Sequence, residues 1–251
     1  MEHLHIFVTR DIPNEFSKQV ISFAERSQGH WSFFASGGSL APRLYRALAT
    51  QSAFHSLAAN VNIYMGDERV VEPTGNDSNT SNVKKFLTEP LASHGIVSQL
   101  IQPFTTPQYH ALSSHFSGMP GSDYKLCDSI AAEYDAKIRV APKPWLVHLG
   151  IGPDGHTASL FADSPALSEP PNQRIFLANY DPAGKNPHCR LTLSLGGISQ
   201  AALVIITTSG KDKAAAVRGL LEGDQSLPVS QVRAGQVNLI LDYEAASLVD
   251  K

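Results

Sequence analysis

Short apolar runs of strand character alternate with stretches of helical period along the whole chain, and this alternation restricts the possible folds more than any other feature. Leu4–Thr9 reads as a strand. Asp11 and Pro13 then open a helix whose apolar residues Phe16, Val20 and Phe23 keep helical spacing. Trp31–Ala35 is a second strand, turned by Ser36-Gly37-Gly38-Ser39 into a helix over Leu40–Ala49. Asn62–Met65 is a third, followed by a polar loop, Pro73–Asn82, and a helix around Val83–Leu91. Leu126, Ile130, Tyr134 and Ile138 step by four, which predicts an amphipathic helix over Asp123–Val140. Trp145–Leu149 and Ala202–Thr208 are further strands, the second leading into a helix over Asp212–Leu221. Val237–Leu241 and Tyr243–Leu248 close the chain as strand and helix. Ser98–Phe104, Ile175–Ala178 and Arg190–Leu195 carry fainter strand patterns, and Thr105–Ser122 reads as an extended surface loop.

Ala202–Thr208 is nearly all apolar, as expected of a strand covered on both faces. The pattern as a whole predicts an α/β fold: a doubly wound, mostly parallel sheet flanked by helices on both faces, of Rossmann-like type. At roughly 150 residues per domain, the length allows one large domain or two small ones. No linker or repeat divides the chain, so residues 1–251 are expected to form a single domain. Ligands of such folds bind outside the carboxyl ends of the strands. Chemistry is therefore to be sought in the loops after strands, and three are unusual: Ser36–Ser39, Gly66–Arg69 and Gly150–His156.

Composition removes several function classes. The chain carries 20 Lys and Arg against 23 Asp and Glu, a net charge of −3. That balance argues against a nucleic-acid partner but is compatible with one small phosphorylated ligand. Met1–Arg10 lacks the ~7–15 apolar residues of a secretory signal. Ala201–Ile206, the longest apolar run, is far shorter than the ~18 residues of a spanning helix. A cytoplasmic protein with no membrane partner is expected. Cys127 and Cys189 show no metal-binding spacing and read as reduced thiols, and the ten histidines form no HExxH motif, so no metal site is expected.

Gly150-Ile151-Gly152-Pro153-Asp154-Gly155 matches the dinucleotide fingerprint GxGxxG in form only. The helix it requires is broken by Asp163-Ser164-Pro165, and Glu169 comes too early to hold a ribose. The same loop instead offers Asp154 and His156, a carboxylate and an imidazole two residues apart, with Asp154 placed either to orient the ring or to bind a hydroxyl. Histidine suits general acid–base work near neutral pH, although a turn-capping histidine would fit the spacing equally well. His148, inside its strand, reads as a satisfied core residue. Ser36-Gly37-Gly38-Ser39 lacks the P-loop lysine; it is either an anion cradle at a helix start or a tight turn with a serine cap. Asp67-Glu68-Arg69, Arg190, Lys211 and Lys213 are each either site residues or surface charge.

Taken together, these blocks resemble the 6-phosphogluconolactonase family, within the superfamily that also holds the glucosamine-6-phosphate deaminases. The resemblance rests on Ser36-Gly37-Gly38-Ser39-Leu40, Asp67-Glu68-Arg69, Leu149 through Phe161, Arg190-Leu191-Thr192-Leu193 and Gly210-Lys211-Asp212-Lys213-Ala214. Gly152-Pro153-Asp154-Gly155-His156-Thr157-Ala158-Ser159-Leu160-Phe161 is the most specific of them. The resemblance implies hydrolysis of a phosphorylated sugar lactone, with no cofactor, by a monomer or weak homo-oligomer. It implies His156 as general base, with Arg69 at the oxyanion and Asp67 orienting sugar hydroxyls or His156. Gly38, Ser39, Arg190 and Lys213 would hold the phosphate. Gly37, Asp154, Gly155 and Thr157 complete the expected substrate contacts. Of the two lysines, the Gly-x-x-Lys-Ala pattern selects Lys213. Thr105–Ser122 is longer than the family usually has. Rival readings are an amino-sugar-phosphate deaminase or isomerase, with Asp67 moving the proton, and a non-catalytic sugar-phosphate sensor. Asp-Glu-Arg and His-Thr-Ala, in place of Asp-Glu-Tyr and His-Ile-Ala, favour the lactonase over the deaminase. The absence of a helix-turn-helix argues against the sensor.

Overall fold

The computed structural model describes residues 4–249; Met1–His3 and Asp250–Lys251, the ends of the expected 1–251 domain, lie outside the described residues. Seven strands form one sheet, every neighbouring pair parallel, in the order β1-β10-β9-β6-β2-β3-β5. They are β1 (Leu4–Val8), β2 (Trp31–Ala35), β3 (Val61–Met65), β5 (Gln99–Ile101), β6 (Trp145–Gly150), β9 (Leu203–Thr208) and β10 (Val237–Leu241). The central strands read as unbroken apolar runs because both their faces are buried. Phe33, Leu146 and Ile205 point into one core, while their neighbours Phe34, Val147 and Ile206 point into the other.

The first core lies under α1 (Ile12–Arg26), α2 (Ala41–Ala49) and α3 (Ser52–Ala58). The helical stretch from 79 to 93 completes that cover: α4 (Asn79–Val83), a π-turn over Lys84–Thr88, and α5 (Glu89–Ser93). Helix α1 starts where Asp11 accepts the amide of Asn14, and it buries Phe16, Val20 and Phe23, each side chain adding about 1.5–3 kcal/mol. The second core lies under α7 (Pro120–Arg139) and α9 (Ala214–Glu222). Among the described residues no helix is long and apolar enough to cross a membrane.

Several expectations are corrected. The strands around Ile175–Ala178 and Arg190–Leu195 are real but leave the main sheet. They are β7 (Phe176–Asn179) and β8 (Arg190–Leu193), which pair antiparallel with β4 (Asp67–Arg69) in a three-stranded sheet of order β4-β8-β7. Asp67-Glu68-Arg69 is thus a strand rather than a loop. Gly66 alone separates it from β3, donating its amide to Ala35 O in the main sheet and accepting from the amide of Leu193 in the small one. Thr105–Ser122 is not an extended loop: α6 (Thr106–Ser113) begins with a reciprocal cap between Thr105 and Gln108, and α7 starts three residues earlier than expected. Helical structure also starts at Asn79, inside the expected Pro73–Asn82 loop, capped by Ser78. The stretch Asp212–Leu221 opens as a 3-10 turn over Lys211–Lys213 before α9. Tyr243–Leu248 forms hydrogen-bonded turns rather than a helix, with Asp242 accepting the amide of Ala245.

Tyr134 on α7 fixes the end of β3 before the chain reaches Asp67. Its hydroxyl accepts the Met65 amide at 2.8 Å and donates to Ile101 O at 2.7 Å, continuing the β3–β5 ladder where the backbone of β5 has ended. Tyr134→Phe removes both bonds and leaves a buried N–H without a partner. It should destabilise the protein by about 1–3 kcal/mol in denaturant titrations, and an unchanged midpoint would remove this role.

Candidate active site

The order in which strands join the sheet reverses between β2 and β6. From β2 the chain builds outward through β3 and β5; from β6 it builds the other way through β9 and β10. A crevice opens at the carboxyl ends of strands at such a switch point. Here the Ser36–Ser39 loop after β2 and the Gly150–Ala158 loop after β6 form its two sides, and they line one cavity with Asp67, Arg69, Asn79, Asn186, Arg190 and Lys213.

Close approach explains two glycines. A methyl at Gly37 would collide with the Asn79 side chain, and one at Gly152 with the His156 ring and the Asp154 carboxylate. The loop after β6 is closed tightly by bonds from Gly152 N to His156 O and from Gly155 N to Gly152 O. This turn presents the His156 ring, whose side chain is 28% exposed, to the cavity. Its Nδ1 lies 2.5 Å from Asp154 Oδ1, and the ring rests against Phe161 with centroids 5.2 Å apart. With Nδ1–H donated to a carboxylate, Nε2 is the basic nitrogen. Burial would raise the Asp154 carboxyl, but the charge and hydrogen bonds of His156 outweigh it and hold Asp154 below the usual carboxylate range.

Asp67 is 4% exposed, and its two oxygens accept the hydroxyls of Ser36 at 2.7 Å and Ser159 at 3.0 Å. It lines the cavity, yet the carboxylate that orients His156 is Asp154 rather than Asp67. Glu68 points away from the cavity and is 1% exposed. It accepts the amides of Arg69, Asn79 and Thr80 and the hydroxyl of Ser78. Burial raises its pKa even against those hydrogen bonds. Its work is to seat the start of α4, whose Asn79 then donates to Asp67 O.

The β4–β8 register sets Arg69 directly opposite Arg190. Like charges in opposed positions repel, so each guanidinium needs its own support. Arg69 donates to Asp77 O at 3.1 Å; Arg190 donates to Asn186 Oδ1 at 3.1 Å and lies 5.7 Å over the Phe161 ring. The Nε of each arginine is buried without a hydrogen-bond partner. Burial, and then the charge of Arg69, lower the pKa of Arg190. Lys213 also lines the cavity, paired with Asp212 at 3.0 Å, while Lys211 is exposed and outside it. Three cations thus share a cavity whose one lining carboxylate, Asp67, is already bound to two serines.

Behind the cavity runs a buried polar relay. Tyr45 OH donates to Ser36 O at 2.6 Å and accepts the Ser36 amide at 2.9 Å, and it lies 2.8 Å from His148 Nδ1. With its one proton committed to Ser36, Tyr45 accepts from His148 Nδ1–H. Nε2 of His148 therefore accepts from Thr207 Oγ1 at 2.9 Å. His148 is 1% exposed and ties together β2, β6, β9 and α2, in keeping with a satisfied core histidine.

Of the residues expected to act, His156, Asp67, Arg69, Gly37, Gly38, Ser39, Arg190 and Lys213 line the one cavity. Three expected substrate contacts do not. Asp154 stands behind His156, and Gly155 adopts a positive φ of 77° and packs against Leu227. Thr157 turns inward, its hydroxyl donating to Gly150 O at 2.8 Å. Sequence reasoning missed Asn79 and Asn186. Ser78, the cap of α4, was a signal for the first; an asparagine in a Pro- and Gly-containing hairpin gave none for the second. Among the described residues, no cluster of three or more His, Cys, Asp or Glu is arranged to hold a metal.

The chain is similar to known proteins in both sequence and fold. The family described as glucosamine-6-phosphate isomerases/6-phosphogluconolactonase matches residues 11–241. The 6-phosphogluconolactonase of Rattus norvegicus is 30% identical over 244 residues, covering 93% of this chain and 86% of its own. The 6-phosphogluconolactonase 3 of Saccharomyces cerevisiae is 33% identical over 183 residues, covering 71% of this chain and 66% of its own. The crystal structure of 6-phosphogluconolactonase from Leishmania guyanensis superposes with a TM-score of 0.81 at 25% identity, covering 98% of this chain and 99% of that one.

The relay makes stability depend on pH. Burial lowers the pKa of His148 from 6.5 to about 3. In the unfolded chain the ring protonates below its ordinary value, while in the native protein it stays neutral. Its contribution is therefore complete above pH 6.5 and is lost as pH falls towards 3, by about 1.4 kcal/mol per unit. Denaturant titrations across that window should show a shallower acid loss in His148→Gln than in the wild type. Parallel curves would show that another group carries it.

Proposed function

The chain belongs to the glucosamine-6-phosphate isomerase/6-phosphogluconolactonase family, and from that membership we propose that it hydrolyses 6-phospho-D-glucono-1,5-lactone to 6-phospho-D-gluconate in the oxidative pentose phosphate pathway. The observation that carries this reading is the sharing of one cavity by His156, backed by Asp154, and three cations. The lactone presents a phosphate at one end and an activated ester carbonyl at the other. Lys213, Arg190 and the Gly38–Ser39 backbone hold the phosphate, through charge-assisted hydrogen bonds about twice as strong as neutral ones. Anchoring that remote group positions C1 beside His156.

His156 Nε2 then takes a proton from water as the water oxygen bonds to C1, and Asp154 stabilises the imidazolium that results. Arg69 donates to the carbonyl oxygen as it gains charge. As the tetrahedral centre collapses, the bond between C1 and the ring oxygen breaks, and His156 returns its proton to that oxygen. Asp67 keeps the two sides of the crevice at a fixed separation through Ser36 and Ser159 rather than moving the proton. No nucleophilic serine or bound group is needed for these steps, because water attacks the ester directly.

Purified protein should consume freshly made lactone faster than a buffer blank, and His156→Ala should lower kcat by about 10²–10⁴-fold while still binding 6-phosphogluconate. Release of ammonia from glucosamine 6-phosphate, with no lactone hydrolysis above the blank, would instead assign the deaminase reaction.

The lysine assignment has its own test. Lys213→Ala should weaken substrate binding by about 1.5–3 kcal/mol, read from KM and from product binding, whereas Lys211→Ala should leave both near wild type. The reverse order would move the phosphate contact to Lys211.

A further inference from the structure

Arg190 is 6% exposed, faces the like charge of Arg69 across the ladder, and stands at the end of a hairpin connection spanning residues 180–189. Left to itself, a long side chain so placed would swing away from its neighbour. One polar side chain opposes this: Asn186, whose Oδ1 accepts from Arg190 Nη2 at 3.1 Å and which itself lines the cavity. Asn186 is in turn held by Asp181. Oδ2 of that carboxylate accepts the Asn186 side-chain amide at 2.8 Å and its backbone amide at 3.1 Å, while Oδ1 accepts the amide of Ala183 at 2.9 Å. Asp181 is nearly buried and so keeps a fixed place.

We propose that Asn186 is a substrate-positioning residue: anchored by Asp181, it holds the Arg190 guanidinium in the orientation that receives the substrate phosphate. The proposal rests on the reading above in which Arg190 binds that phosphate. The chemistry of the link supports it. A carboxylate in direct contact would pair with Arg190 and cancel charge needed for a dianion. A neutral amide orients the fork and leaves its charge unspent, with the carboxylate set one hydrogen bond further back. The Phe161 face supplies the other support, and the same ring touches His156, so the direction of Arg190 and the place of the base are set against a common surface.

The test is a kinetic cycle on the intact protein. Asn186→Ala should raise KM for the lactone about tenfold and weaken 6-phosphogluconate binding by a similar factor, with kcat within about twofold. Arg190→Ala should raise KM at least as much, and in that background Asn186→Ala should add nothing. Asp181→Asn, which keeps the shape of the anchor, should shift KM in the same direction by a smaller factor, and it serves if Asn186→Ala folds poorly. A raised KM in Arg190→Ala with no change in Asn186→Ala or Asp181→Asn would overturn the proposal alone. So would a full further loss on adding Asn186→Ala to Arg190→Ala, or a fall confined to kcat. An unchanged KM in Arg190→Ala would overturn the phosphate reading and this proposal with it.

Discussion

Asp67 holds the two sides of the crevice together. One oxygen takes the hydroxyl of Ser36 from the loop after β2, and the other takes that of Ser159 from the loop after β6. A carboxylate this far from water is tolerated only when its lone pairs are met, so the two loops are bound to one another at a fixed spacing. Everything in the cavity inherits that spacing. His156 sits three residues before Ser159, and the Gly37–Ser39 backbone follows Ser36. The chain delivers Asp67 to this point because Gly66, between β3 and β4, is hydrogen-bonded to both sheets, to Ala35 of the parallel one and Leu193 of the antiparallel one. Tyr134 steadies the residue before it, and Glu68, one step on, seats α4 against the same wall.

The cavity places cations where folding alone would not. Arg69 and Arg190 occupy opposed positions of a ladder, where like charges repel, and Arg190 gives up most of its contact with water. Arg69 is supported by the carbonyl of Asp77 and, at 3.8 Å, by its carboxylate, whereas the supports of Arg190 are neutral: the amide of Asn186 and the face of Phe161. Such an arrangement concentrates a local positive field in the cavity, in keeping with the phosphate-holding role proposed for it. It also fits a protein whose overall charge is −3, since the field needed for one phosphate is made by three side chains and requires no basic surface.

Rigidity behind the cavity comes from two different materials. Two apolar cores grip the central strands from both faces, and between them runs the relay of Thr207, His148, Tyr45 and Ser36. Each buried polar group in that relay is satisfied by the next, which makes it a specific tie between strands from the two halves of the sheet. His156 differs from His148 in this respect. One imidazole has both nitrogens committed within the protein; the other has Nδ1 committed to Asp154 and its ring presented to the cavity.

The sequence by itself determined the α/β architecture, because strands buried on both faces must be apolar throughout and amphipathic helices must repeat near 3.6 residues. Trp31–Ala35 and Val237–Leu241 are legible to the residue for that reason. His156 was legible as well, since its glycine-rich loop follows an apolar strand and matches a family block. The tertiary structure alone decided what no local pattern encodes. The antiparallel register set Arg69 against Arg190, and folding of the β7–β8 hairpin carried Asn186 to the cavity. Turn geometry sent Thr157 inward and, of the two carboxylates the sequence offered to orient His156, selected Asp154 over Asp67. Within Thr105–Ser122, Thr106–Ser113 became helical behind a cap and over a stretch too short to register as a period, while Tyr243–Leu248 stayed in turns gathered on Asp242. Periodicity records which face a residue buries; it holds no information on which distant residue it meets, because that depends on strand order and register.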